Sequence, residues 1–123
     1  ASQICVGKEN SLSIRIYGET GGLEWNQEEP NTLLRTYADR PAEVIRAGQG
    51  YLSQGAQAWF RTPPGHPEGY LEAFANVYRE FAKALRSEGG VATGIDGAVR
   101  GMAFVEALLE SSENNSVWTE IKS

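Results

Sequence analysis

The feature that narrows the fold most is a change of period part-way along the chain. Up to residue 47 apolar side chains recur at every second position, as in strands with one face turned away from water. From Tyr70 onward they recur at every third or fourth position, as in amphipathic helices. Strands first and helices second predict an α+β fold, a mostly antiparallel open sheet with two main helices packed on one face.

In the first half, Leu12, Ile14 and Ile16 alternate with Ser13, Arg15 and Tyr17. The glycines of Gly18-Glu19-Thr20-Gly21-Gly22 suit a hairpin loop, and Leu23-Glu24-Trp25-Asn26 resumes the alternation as a paired strand. Pro30 then interrupts the ladder, because proline has no N–H to donate. Thr32 to Tyr37 reads as a third strand, and Ala42 to Ala47 as a fourth, antiparallel to it. Ser2 to Val6 also reads as a strand, so the chain opens in mid-strand and is expected to be a fragment of a longer protein. If Tyr17, Trp25, Leu33, Tyr37 and Trp118 share the outer sheet face, that face is too apolar to stay wet and calls for a partner.

Residues 48–67 hold four glycines and three prolines and read as a long connection, a kind of segment that often carries function. Beyond it, Tyr70, Phe74, Val77, Tyr78, Phe81 and Leu85 make one apolar stripe. Pro67 suits the first helical turn, Glu68 complements the positive helix start, and Gly89-Gly90 marks the end. A second helix is expected from Asp96 to Ser112, with Gly101 allowing close approach to a neighbour, and a closing strand from Val117 to Ile121.

The 123 residues suit one domain, 1–123. A net charge of -5 with scattered basic residues argues against a nucleic-acid partner. No apolar run is long enough to span a membrane, and the start lacks the pattern of a secretory leader. The single cysteine, Cys5, cannot form an internal disulfide and reads as a small buried residue, consistent with a cytoplasmic setting.

No complete active site is legible. No G-x-G-x-x-G opens a βα unit, and no phosphate loop is present, so the sequence offers no cofactor-binding residues. One His and one Cys cannot make a His/Cys metal cluster, and no catalytic set emerges. His66 is the polar residue of greatest interest. It sits in Pro63-Pro64-Gly65-His66-Pro67-Glu68-Gly69-Tyr70, a stiffened segment that delivers an imidazole just ahead of a helix start. Glu72, Glu80, Glu106 and Glu110 read as solvated helix faces, and Glu24, Glu28 and Glu29 as a solvent-facing strand end.

Three segments together resemble the Gfo/Idh/MocA superfamily (glucose-fructose oxidoreductase, inositol dehydrogenase, MocA). They are Ile14 to Trp25 with Gln27-Glu28-Glu29-Pro30-Asn31, Pro64 to Asn76, and Asp96 to Ala107. The resemblance implies the later part of a carboxy-terminal substrate and oligomerisation domain, whose parent has an amino-terminal Rossmann domain for NAD or NADP. It implies hydride transfer at a sugar or polyol CH–OH group and a homo-oligomer formed through the open sheet. The family's catalytic lysine, aspartate and histidine would lie upstream of Ala1, leaving this piece inactive and without a bound cofactor. It also implies that His66 lies at the substrate mouth, with Tyr70 a second candidate contact. A non-catalytic binding or assembly module on the same scaffold is the alternative.

Overall fold

The computed structural model describes residues 2–122, which divide into two compact units, one up to Asn76 and one from Val77 onward. The first carries an antiparallel four-stranded meander: β1 (Ser13–Tyr17), β2 (Gly21–Asn26), β3 (Thr32–Tyr37) and β4 (Glu43–Arg46), in the order β1-β2-β3-β4. The α+β expectation holds for the open antiparallel sheet and the two main helices. The β1–β2 turn closes earlier than expected, with the Gly18 N–H donating to the Gly21 carbonyl (2.8 Å), so β2 begins at Gly21 rather than Leu23. Glycine is required there: a Cβ on Gly21 would sit 2.3 Å from the Thr36 carbonyl oxygen across the β2–β3 pair.

Register fixes the two faces. Ile14 lies opposite Trp25, Trp25 opposite Leu33, and Leu33 opposite Ile45, so these four share one face, joined by Ile16, Leu23 and Tyr37. The other face carries Arg15 opposite Glu24, paired at 3.2 Å, and Thr32 opposite Arg46. Tyr17 belongs to this second face, so the expected grouping of Tyr17 with Trp25, Leu33 and Tyr37 is corrected, and Ile14 and Ile16 join the tryptophan instead. Alternation within one strand fixes parity only for that strand, and the early turn sets the parity of the next. At the β3–β4 end, the Tyr37 hydroxyl donates to Glu43 (2.6 Å) while the Arg40 guanidinium stacks 3.8 Å from the ring centroid.

Two expected strands are absent. Residues 2–6 and 117–121 form no ladder. Local turn bonds replace it at the start (Val6 N–H to the Ile4 carbonyl, Lys8 N–H to the Cys5 carbonyl), and Ile4, Val6 and Trp118 are almost wholly exposed. Cys5 is exposed too, against the expectation of burial. A strand needs a partner edge, which local sequence does not supply.

The long connection contains a short helix, α1 (Gln54–Gln57), capped by the Ser53 hydroxyl, which accepts from the Ala56 N–H. α2 (Tyr70–Leu85) starts three residues after Pro67, so Pro67 and Glu68 precede the helix rather than forming its first turn. Glu72 fills the capping role, accepting from the Gly69 N–H (2.8 Å). In the second unit, α3 (Ile95–Glu113) matches the expected helix closely, but no neighbour approaches Gly101 within 4 Å.

The solvated-face reading of α2 also changes. Its apolar stripe is exposed, whereas Glu80 is only 6% exposed. Its carboxylate accepts from Lys83 Nζ (3.0 Å), Arg79 Nε (3.2 Å) and the Val91 N–H (3.2 Å). The Lys83 bond is the largest influence holding Glu80 below the usual carboxylate range, against a smaller upward push from burial.

Candidate functional site

The segment bearing His66 is fastened to the sheet by one side chain. Asn31, at the start of β3, donates through Nδ2 to the Glu68 carbonyl (2.8 Å) and accepts at Oδ1 from the Glu68 N–H (3.0 Å). That reciprocal pair imitates a neighbouring strand. The Glu68 carboxylate then turns inward, accepting from the Arg61 and Thr62 N–H groups and from the Thr62 hydroxyl. Partial burial pushes this carboxyl upward, but those donors and the Arg61 charge together hold it below its ordinary value. The single Thr62 hydroxyl hydrogen is shared between Glu68 and the His66 carbonyl (2.8 Å), and the His66 N–H closes a turn onto Pro63 (3.2 Å). Farther along, Arg61 donates to the Glu72 carbonyl (3.2 Å) and Asn76 Oδ1 (2.8 Å), which ties the loop to the first turns of α2.

Two hollows flank this fastening, on opposite faces of the sheet end. The first, about 680 Å³, is lined by His66, Arg46, Thr32, Gln49 and Glu29. Its sheet residues, Thr32 and Arg46, belong to the Arg15–Glu24 face. His66 is exposed there, and among the described residues its imidazole has no side-chain partner. The second, about 530 Å³, is aromatic, lined by Trp25, Trp59, Phe60, Tyr70 and Phe74. Most of its polar groups are already engaged: the Trp25 indole donates to the Pro30 carbonyl (3.0 Å), and Asn76 donates to the Trp59 carbonyl (3.1 Å). Tyr70 packs against Phe74 (centroids 4.8 Å apart) and is 67% exposed.

The two sequence candidates therefore line different hollows: His66 the polar one and Tyr70 the aromatic one. Arg46, Asn31 and Glu68 were not singled out as functional by the sequence. The first sits at the end of an ordinary alternating strand, and the other two act through contacts across 37 residues. Among the described residues no cluster of three His, Cys, Asp or Glu could hold a metal ion. Among the described residues no helix is long and apolar enough to cross a membrane. Among the described residues the strands follow one another as an antiparallel meander, not as the parallel βαβ units that carry a dinucleotide fingerprint.

Residues 1–121 match the C-terminal alpha/beta domain of the Gfo/Idh/MocA oxidoreductases. The chain belongs to this family. The oxidoreductase YfiI of Bacillus subtilis (strain 168) is 31% identical over 98% of the chain, which covers 33% of that protein. An oxidoreductase from Sinorhizobium meliloti superposes with a TM-score of 0.89 at 42% identity, over 97% of this chain and 35% of its own. An inositol dehydrogenase homolog from Azotobacter vinelandii, with structures in complex with NAD+ and with NADH and myo-inositol, superposes with a TM-score of 0.87 at 33% identity, over 97% of this chain and 33% or 34% of its own. The chain thus spans about a third of the length of these Gfo/Idh/MocA relatives.

Proposed function

We propose that this chain is the substrate-side part of an NAD(P)-dependent oxidoreductase acting on a CH–OH group of a sugar or polyol, with the hollow beside His66 at the substrate mouth. The observation that carries the reading is the match over residues 1–121, with an inositol dehydrogenase homolog among the structural relatives. The chain's own contribution is to bind and orient. His66 offers one donor and one acceptor to a hydroxyl pair, on a loop that Asn31 and Glu68 hold in place. Dinucleotide binding and hydride transfer belong to the remainder of the parent, so this piece alone is inactive. On the same reading, copies of the parent associate through the open sheet, in keeping with the exposure of every residue of β1.

The test is to express the chain together with the coding sequence preceding it and to follow nicotinamide absorbance with cyclic polyols and aldoses. The longer product is expected to reduce NAD+ or NADP+, and the chain alone to show no turnover. Stoichiometric binding of NADH by the isolated chain would overturn the division of labour, and a strict monomer for the longer product in light scattering would count against association through the sheet.

A further inference from the structure

We propose that the hollow beside His66 takes a polyol bearing a carboxylate, a sugar acid, with Arg46 as the residue that selects for the acid group. This rests on the reading of that hollow as the substrate mouth and narrows it to a ligand class.

The argument begins with what holds Arg46. It is the last residue of β4 and lies opposite Thr32 in the β3–β4 register. Its Nη1 donates to the Thr32 hydroxyl (2.6 Å), and its backbone N–H donates to the Tyr51 hydroxyl (2.8 Å). The guanidinium is thus fixed at one corner. Its other donors, Nε and Nη2, meet no acceptor among the described residues, and Arg46 takes part in no ion pair there. Arg15, Arg79, Lys83 and Arg86 each have a carboxylate partner, while Arg35 and Arg40 lie over the Tyr37 ring.

A planar fork held at one end and open at the other suits the two oxygens of a carboxylate, which it can grip with parallel N–H bonds. The rest of the lining is amphoteric. His66 and Gln49 can each donate to or accept from a hydroxyl, and neither side chain is engaged elsewhere among the described residues. Among the described residues, Glu29 is the only carboxylate lining the hollow and takes part in no ion pair. It accepts hydroxyl hydrogens and repels a ligand's acid group, so it sets direction: acid toward Arg46, hydroxyls toward Glu29 and Gln49. A hollow of about 680 Å³ accommodates a six-carbon chain. His66 and Arg46 keep their spacing because Asn31, next to Thr32, grips Glu68, two residues past His66.

The experiment is an NMR titration of this chain with gluconate, glucitol and glucose 6-phosphate, repeated for Arg46→Gln, Arg46→Lys and His66→Gln. Gluconate is expected to bind about tenfold tighter than glucitol, the order of one charge-assisted pair at an exposed site. Arg46→Gln removes that difference, Arg46→Lys restores part of it, and His66→Gln weakens acid and neutral polyol alike. Equal affinity for gluconate and glucitol, persistence of the preference in Arg46→Gln, or a preference for the phosphate over the carboxylate overturns the acid-binding role while leaving the polyol mouth standing. Binding of none of the three overturns the mouth itself and this inference with it.

Discussion

Glu68 shows how much one side chain can organise. It reads in the sequence as a helix-start acid, yet it works one step earlier, collecting the Arg61 and Thr62 N–H groups and the Thr62 hydroxyl of the preceding loop. Its carboxyl is held below the ordinary value of about 4.3. A group whose folded pKa lies under its unfolded one contributes stability above the unfolded value and loses it as pH falls from there through the folded value. Melting followed from neutral pH downward is therefore expected to show a loss of stability that sets in below about pH 5 and is smaller in Glu68→Gln, which keeps the shape without the charge. An unchanged acid limb in that variant would mean that the carboxylate does not brace the loop.

The β2–β3 pair and the helices mark what was legible at the next scale. β3 is legible to the residue, and α3 to within one residue at each end, because each has a regular apolar period and distinct punctuation. The face assignment failed at Tyr17, where two residues of turn decide which side the next strand presents. The closing strand over Val117 to Ile121 failed because pairing is a property of two segments, and alternation in one of them cannot create an edge. His66 was legible as an exposed loop residue from its stiffened segment. Arg46 was not, because nothing local distinguishes it from any solvent-facing strand residue. Gly21→Ala tests the pairing directly: its Cβ would meet the Thr36 carbonyl at 2.3 Å. Separating the strands there is expected to destabilise the fold by about 1–3 kcal/mol in denaturant unfolding. Gly50→Ala, whose Cβ meets nothing within 4 Å, is expected to be near neutral.

Among the described residues, no side chain is less than 2% exposed. In the second unit Val99, Met102, Phe104, Leu108 and Leu109 of α3 all remain accessible. Each such side chain would contribute about 1.5–3 kcal/mol if fully covered. A dye that fluoresces on apolar surface, such as ANS, is therefore expected to bind strongly to the chain by itself and weakly to the longer parent product. Equal, faint fluorescence from both would show that these residues are already sheltered. The Asn31 amide has a different consequence. Because one residue joins the His66 segment edge-on to β3, the reach of the connection after β4 is uncoupled from the position of the imidazole. Lengthening or shortening that connection around Gly50, by a residue or two, should leave the imidazole where it is while displacing Gln49 and Tyr51, which flank the change.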